Sequence, residues 1–365
     1  MLEGLVSDGV DVTVLTTNVN GHKRLDVPLG EPVLVSGVRV YYFPVSFDLL
    51  SINYSLQLAR AFANKVHEFD LVISGLLWHP FLLDKIINEC SKAKVPYVVQ
   101  LFGQLMPWAL TQKSLKKKLF LFFNAKRYLN QASALQCTDP IEVDSVNQMG
   151  LTSPVILIPN GIDKSQYSSL PPRGLFRQEL EINKGEIVLL FLGRLHHVKR
   201  PELALESIIK LGRKDVHLIY AGHDEEGFTS SLNKRAVESG YSSQVHFIGN
   251  LNKDEVLQAF SDSDLLIMPS QQENFGMSAA EALISGVPIL TSKFVPVGIS
   301  ATKAGAGRLA DLTIESFTQE LQVLLKNPEK LKQMGLLGKE FAKNNYDQNI
   351  IGENIISEYS KIINR

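Results

Sequence analysis

S-Q-Q-E-N-F-G-M-S-A-A-E-A-L-I-S-G-V-P, residues 270–288, follows the apolar run Leu265, Leu266, Ile267 and Met268. The run reads as a buried strand, and Pro269 ends it. Glu273 and Gly276 fall in a polar loop. From Met277 onward Ser, Ala, Ala, Glu, Ala and Leu favour helix, until Gly286 and Pro288 stop it. A strand, a tight loop and a helix in this order bring open backbone N–H groups to the carboxyl edge of a sheet. Open α/β sheets bind ligands at that edge, and a helix N-terminus suits a phosphate. Carboxylates repel phosphate, so Glu273 and Glu281 beside it suggest partners for hydroxyl groups, as on a sugar or a ribose.

Further back, residues 187–192 (I-V-L-L-F-L) read as another buried strand, which runs into Gly193-Arg194-Leu195-His196-His197-Val198-Lys199-Arg200-Pro201. Gly193 lets the backbone approach a ligand, and the cations Arg194 and Lys199, set before a helix, suit a diphosphate. His196 and His197 invite a metal. Nothing near them in sequence completes a set of three or four ligands, so they read as loop residues.

Glu273-Asn274-Phe275-Gly276 with Glu281 resembles the E-x7-E motif of the retaining, family-four glycosyltransferases of GT-B fold. Residues 193–199 are similar to the same family's G-R-L-x-x-x-K, and Pro159-Asn160-Gly161-Ile162-Asp163 to its P-N-G-I-D. The resemblance covers nearly the whole chain, most strongly residues 154–290 and most weakly those before 40. It implies an α/β protein of two Rossmann-like domains facing across a cleft. Residues 1–165 would form an acceptor-side domain, with a C-terminal helix over 346–365 packing back on it. Residues 166–345 would bind the nucleotide sugar. The implied reaction moves a sugar from a nucleotide diphosphate sugar to a hydroxyl of a polysaccharide or lipid-linked glycan, with retained configuration. Arg194, Lys199 and the N–H groups from Gly276 to Ser278 would stabilise the leaving diphosphate. Glu273 would grip the sugar near the reacting carbon and Glu281 the ribose. Gly193, Phe275, Met277, Ile248 beside the base, and Asn160 would complete the donor contacts. No cofactor, metal or covalent nucleophile is implied. Asp262-Ser263-Asp264 spells a D-x-D cation motif, but it opens a strand, away from the carboxyl edge, and reads as coincidence.

Composition sets the frame for these motifs. A length of 365 residues favours two domains, and 45% hydrophobic with 21% charged residues describes an ordinary globular chain. A formal net charge of −1 leaves no footprint for nucleic acid. Cys90 and Cys137 read as buried thiols of a reducing compartment, and no apolar run reaches the ~20 residues of a membrane span. The expectation is a cytoplasmic protein with room for peripheral contact at the inner face of a membrane. Strands are expected over 10–16, 38–43, 69–74, 95–101, 133–137 and 154–158, with helices over 53–67, 79–93, 112–130 and 140–148, an alternation that implies a parallel sheet. Lys113, Lys116, Lys117, Lys118, Lys126 and Arg127 flank an apolar cluster at 119–123. This reads either as a lipid-facing amphipathic helix or as a core helix with solvated lysines, and the nearly all-round apolar cluster favours the second.

Two departures from the family bear on catalysis. In these enzymes a strand and a glycine-rich loop precede the helix that matches residues 1–8. The expectation here is a start set too late, a shortened protein or a decaying gene. Phe102 stands before Gly103 where many relatives carry His, and a phenyl ring offers no hydrogen bond to a hydroxyl. Two other classes of function follow. One is a nucleotide-sugar binder or partner subunit without turnover. The other is a sugar-nucleotide epimerase or phosphorylase on the same fold. The epimerase would need acid/base carboxylates or His in the first domain, which the sequence does not offer. The phosphorylase would usually bring pyridoxal phosphate and a much longer chain.

Overall fold

The computed structural model describes residues 2–364 apart from 22, 50, 51, 76, 107, 108, 111–119 and 122–124. Contacts divide the chain into two units, Met1–Gly161 with Gln348–Arg365, and Ile162–Asp347.

In the first unit the strands are β1 (Thr13–Thr17), β2 (Val19–Asn20), β3 (Lys23–Arg24), β4 (Pro32–Val35), β5 (Val38–Phe43), β6 (Phe47–Leu49), β7 (Ile52–Tyr54), β8 (Val72–Ser74), β9 (Tyr97–Gln100), β10 (Ala134–Cys137) and β11 (Val155–Leu157). β8 to β11 form a parallel sheet ordered β11-β10-β9-β8. β9 and β10 are buried throughout, as strands covered on both faces must be. The purely parallel expectation needs correction elsewhere. β1 pairs parallel with β5, but β4 pairs antiparallel on the other side of β5, and β2–β3 and β6–β7 are antiparallel ribbons. Ser36 and Gly37, both at positive φ (49° and 82°), make the two-residue turn between β4 and β5. The strand expected from residue 10 begins at Thr13, and the helix expected from 53 begins at Leu56, because residues 52–54 pair as β7. Most of the helix expected over 112–130, with Lys113, Lys116, Lys117 and Lys118, lies outside the described residues; Lys126–Gln131 is helical.

Among the described residues, β1 and β8 each keep one edge without a ladder partner. Side chains join the two sheets instead. Leu15 of β1 packs into the core that holds Val99, Leu135 and Tyr128. A second core holds Leu5, Val98, Ala134 and Ile158 against Ile351, Ile355, Tyr359 and Ile362 of the helix Gln348–Ile363.

The second unit is a single parallel sheet of β12 (Ile187–Leu192), β13 (Val216–Ala221), β14 (Val245–Gly249), β15 (Leu265–Met268), β16 (Ile289–Ser292) and β17 (Gly307–Ala310), ordered β14-β13-β12-β15-β16-β17. Alternate residues face opposite cores. Val188, Leu190, Leu266 and Met268 join one, and Leu189, Phe191, Leu265 and Ile267 the other. The chain runs outward from β12 through β13 and β14, then restarts at β15 beside β12 and runs outward the other way. The order therefore reverses between β12 and β15, and loops leaving their carboxyl ends diverge to open a crevice there. The loops that hold Gly193 to Lys199 and Ser270 to Gly276 are those two.

Candidate functional site

A cavity of about 400 Å³ opens at that point in the second unit. Gly193, Arg194 and Lys199 line it from the β12 loop, Gly222 and His223 from the β13 loop, Asn250 and Leu251 from beyond β14, and Met277, Ser278 and Glu281 from the helix Met277–Ser285. Close approach of backbones builds its floor. A Cβ on Gly222, at φ 144°, would fall on the carbonyl oxygen of Gly193. Gly276 caps the helix at φ 98° with no side-chain bond, so the first N–H groups of the helix are not masked by a capping side chain. A Cβ there would lie 2.8 Å from Val295 Cγ1.

Charge in the site is paired. Lys199 Nζ bonds Glu273 Oε1, both side chains largely buried, and Ser270 Oγ donates to the same oxygen at 2.6 Å. The Gln271 N–H donates to Val198 O at 2.7 Å and fastens the two loops together. Arg194 is the more exposed cation, its Nη1 2.6 Å from Glu225 Oε2, with 61% of the side chain exposed. Glu281 is held differently. Burial raises its carboxyl above the usual range, and a hydrogen bond from the Tyr167 hydroxyl partly offsets that. Tyr167 ends the short turn Lys164–Tyr167 and was not singled out by sequence; only an acid on a facing helix gives its hydroxyl a role.

Gly193, Arg194, Lys199, Met277, Ser278 and Glu281 thus line one cavity, and Glu273 adjoins it through Lys199. Phe275 does not face it: the ring is buried and packs edge-on against Tyr346 at 5.1 Å. Ile248 packs against the core, while Asn250 and Leu251 take the lining position. Asn160 belongs to the first unit. His196 and His197, expected to be loop residues with no third ligand near them, both meet Glu226, which the fold brings in from the β13 loop. Asp262 and Asp264 serve the fold. Asp262 accepts from the N–H groups of Gly174 and Phe176, and Asp264 binds Arg173, Arg177 and the Val188 N–H.

In the first unit Phe102 follows β9 at φ 46° with 42% of its surface exposed. The Glu142 carboxylate, fully buried, accepts from the N–H groups of Gly103 and Thr138, and burial raises its pKa. Glu142 therefore fixes the Gly103 backbone, while Asp139 caps the helix Pro140–Asn147. Burial pushes the Cys90 thiol up to about 12. Among the described residues no helix is long and apolar enough to cross a membrane.

The chain belongs to the family-four GT-B glycosyltransferases. Residues 172–341 match the family described as Glycosyl transferases group 1, and residues 1–161 the Glycosyl transferase 4-like domain. D-inositol 3-phosphate glycosyltransferase of Nocardia farcinica is 28% identical over 188 residues, 49% of this chain and 42% of that protein. The protein of the same description from Gordonia bronchialis is 26% identical over 255 residues, 66% of this chain and 52% of that one. The chain therefore spans about half the length, or less, of these relatives. Among solved structures, Anabaena HepE in complex with UDP-glucose superposes with a TM-score of 0.73 at 18% identity, covering 96% of this chain and 99% of that chain. WaaG, a glycosyltransferase involved in lipopolysaccharide biosynthesis, gives 0.70 at 18% identity over 97% and 93%. Both show two Rossmann-like domains as the architecture of this chain.

Proposed function

We propose that the chain transfers a sugar from a nucleotide diphosphate sugar to a hydroxyl of a polysaccharide or lipid-linked glycan, with retention at the anomeric carbon. The observation that carries this reading is the convergence of Lys199, Arg194, Glu281 and an uncapped helix N-terminus on one cavity. The diphosphate binds against Lys199 and the N–H groups of Met277 and Ser278, where its growing charge on leaving is met by cation and dipole without a metal. Arg194 swings from Glu225 to join them, a small cost because that ion pair is exposed. Glu281 takes the ribose hydroxyls. Glu273, released from Lys199 as the phosphate arrives, turns its freed oxygen to the sugar. HepE is described in complex with UDP and with UDP-glucose, which makes a UDP-sugar the first donor to try.

The test is nucleotide release from UDP-, GDP- and ADP-sugars by the chain and by its Lys199→Ala and Glu273→Ala variants. Each substitution is expected to lower release by about 100-fold or more. Undiminished release in both variants overturns the reading. Phe102 favours one second reading, a nucleotide-sugar binder without turnover, because it can neither donate nor accept a hydrogen bond where an acceptor hydroxyl would be read. UDP binding that depends on Lys199, without release from any donor, would select it.

A further inference from the structure

The loops after β12 and β13 also meet through residues that do not line the cavity. His196 and His197 extend from the first loop, Glu226 from the second, and their ligand atoms lie within 4.8 Å of one another. His197 Nδ1 is 2.8 and 3.1 Å from the two Glu226 oxygens, and His196 Nε2 is 3.5 Å from Oε1. Donors around a tetrahedral zinc-like ion, bound at about 2.0–2.1 Å, stand roughly 3.3 Å apart. The two imidazole separations from Glu226 Oε1, 2.8 and 3.5 Å, fall on either side of that value. We propose that His196 Nε2, His197 Nδ1 and Glu226 form a site for a divalent transition-metal ion of the Zn²⁺ or Co²⁺ class, with its remaining positions open to water. Two imidazoles and one carboxylate are the donors such ions favour over Mg²⁺ or Ca²⁺. The neighbouring cations do not repel the ion strongly, since Arg194 is paired with Glu225 and Lys199 with Glu273. The site stands apart from the sugar-transfer reading and does not depend on it.

Loading has a structural consequence. In the metal-free site the Val198 N–H donates to His196 Nδ1 at 3.2 Å, so neutral His196 carries its proton on Nε2. His197 Nδ1 faces a carboxylate, which only accepts, and so carries its own proton there. For a metal to take the lone pairs of His196 Nε2 and His197 Nδ1, each proton moves to the other nitrogen of its ring. No proton is released overall. His196 then has an N–H pointing at the Val198 N–H, and that cap is lost. The capped turn is His197–Lys199, so a metal loosens the segment that ends in Lys199.

The experiment titrates the full chain with Co²⁺, reading the d–d absorption of bound cobalt, and compares His197→Ala and Glu226→Gln. Both replace part-exposed side chains, and circular dichroism checks that the variants fold. The expected result is one saturable Co²⁺ per chain, displaced by Zn²⁺, and at least a tenfold loss of affinity in each variant. Hydrogen exchange of the 197–199 turn is expected to quicken on loading. Uptake that does not saturate, or that survives both substitutions, overturns the site. Unchanged exchange at Val198 in the loaded protein overturns the tautomer shift.

Discussion

Tyr167 gives the Glu281 carboxyl a hydrogen bond, and Glu281 also lines the cavity. A buried carboxylate that loses a donor becomes harder to ionise and less firmly oriented. Tyr167→Phe removes only the hydroxyl, so packing around the ring is preserved. UDP affinity measured by calorimetry should fall about fivefold, the effect of roughly 1 kcal/mol. The loss should be smaller for a nucleotide that lacks the ribose 2′-hydroxyl. An equal loss for both nucleotides would show that Tyr167 does not act through the ribose. Glu281 itself was legible as half of an E-x7-E pair, whereas Tyr167, over a hundred residues earlier, carries no local sign of its role. The same holds for Glu226: the sequence shows His196 and His197, but their partner comes from a loop that only the β12–β13 pairing brings alongside.

At the level of elements, the strands of the second unit could be read because a parallel strand covered on both faces is a continuous apolar run. β13, β15 and β16 are buried along their whole length. The short ribbons of the first unit carry no such signal: β3 is fully exposed, and Leu34 of β4 is 73% exposed. One pair of neighbouring strands has a pH response of its own. His217 of β13 and His246 of β14 stack at 5.3 Å, with Nδ1 and Nε2 3.0 Å apart, and Glu186 Oε2 lies 3.2 Å from His217 Nε2. Burial lowers both histidines, His246 to about 4. Below pH 6.5 the unfolded chain takes up protons that the folded pair refuses, so stability falls as pH drops from 6.5 towards 4. The raised carboxyls of Glu142 and Glu281 act in the opposite sense, so the informative quantity is a difference between proteins. The urea midpoint of His246→Gln should change less between pH 7 and pH 5 than that of the parent. An identical change in the two proteins would remove His246 as the cause.

For the whole molecule, the sequence carried the two-domain GT-B class through a few spaced motifs, because each motif sits where a strand hands over to a loop. It gave less of the first unit, where the packing that completes the fold comes from residues distant in the chain. Ile351, Ile355, Tyr359 and Ile362 fill one face of the core behind β9 and β10, and the Tyr359 hydroxyl bonds Gln136. The second unit, by contrast, is continuous from Ile162 to Asp347. The ribosome delivers these parts in an order that folding cannot follow. Domains usually acquire structure as they emerge, the earliest first. Here residues 1–161 leave the exit tunnel well before the helix Gln348–Ile363 exists, so the unit begun first is finished last. Nascent chains stalled near residue 340 should expose residues 1–161 to protease, and full-length chains stalled after some tens of residues of appended linker should protect them.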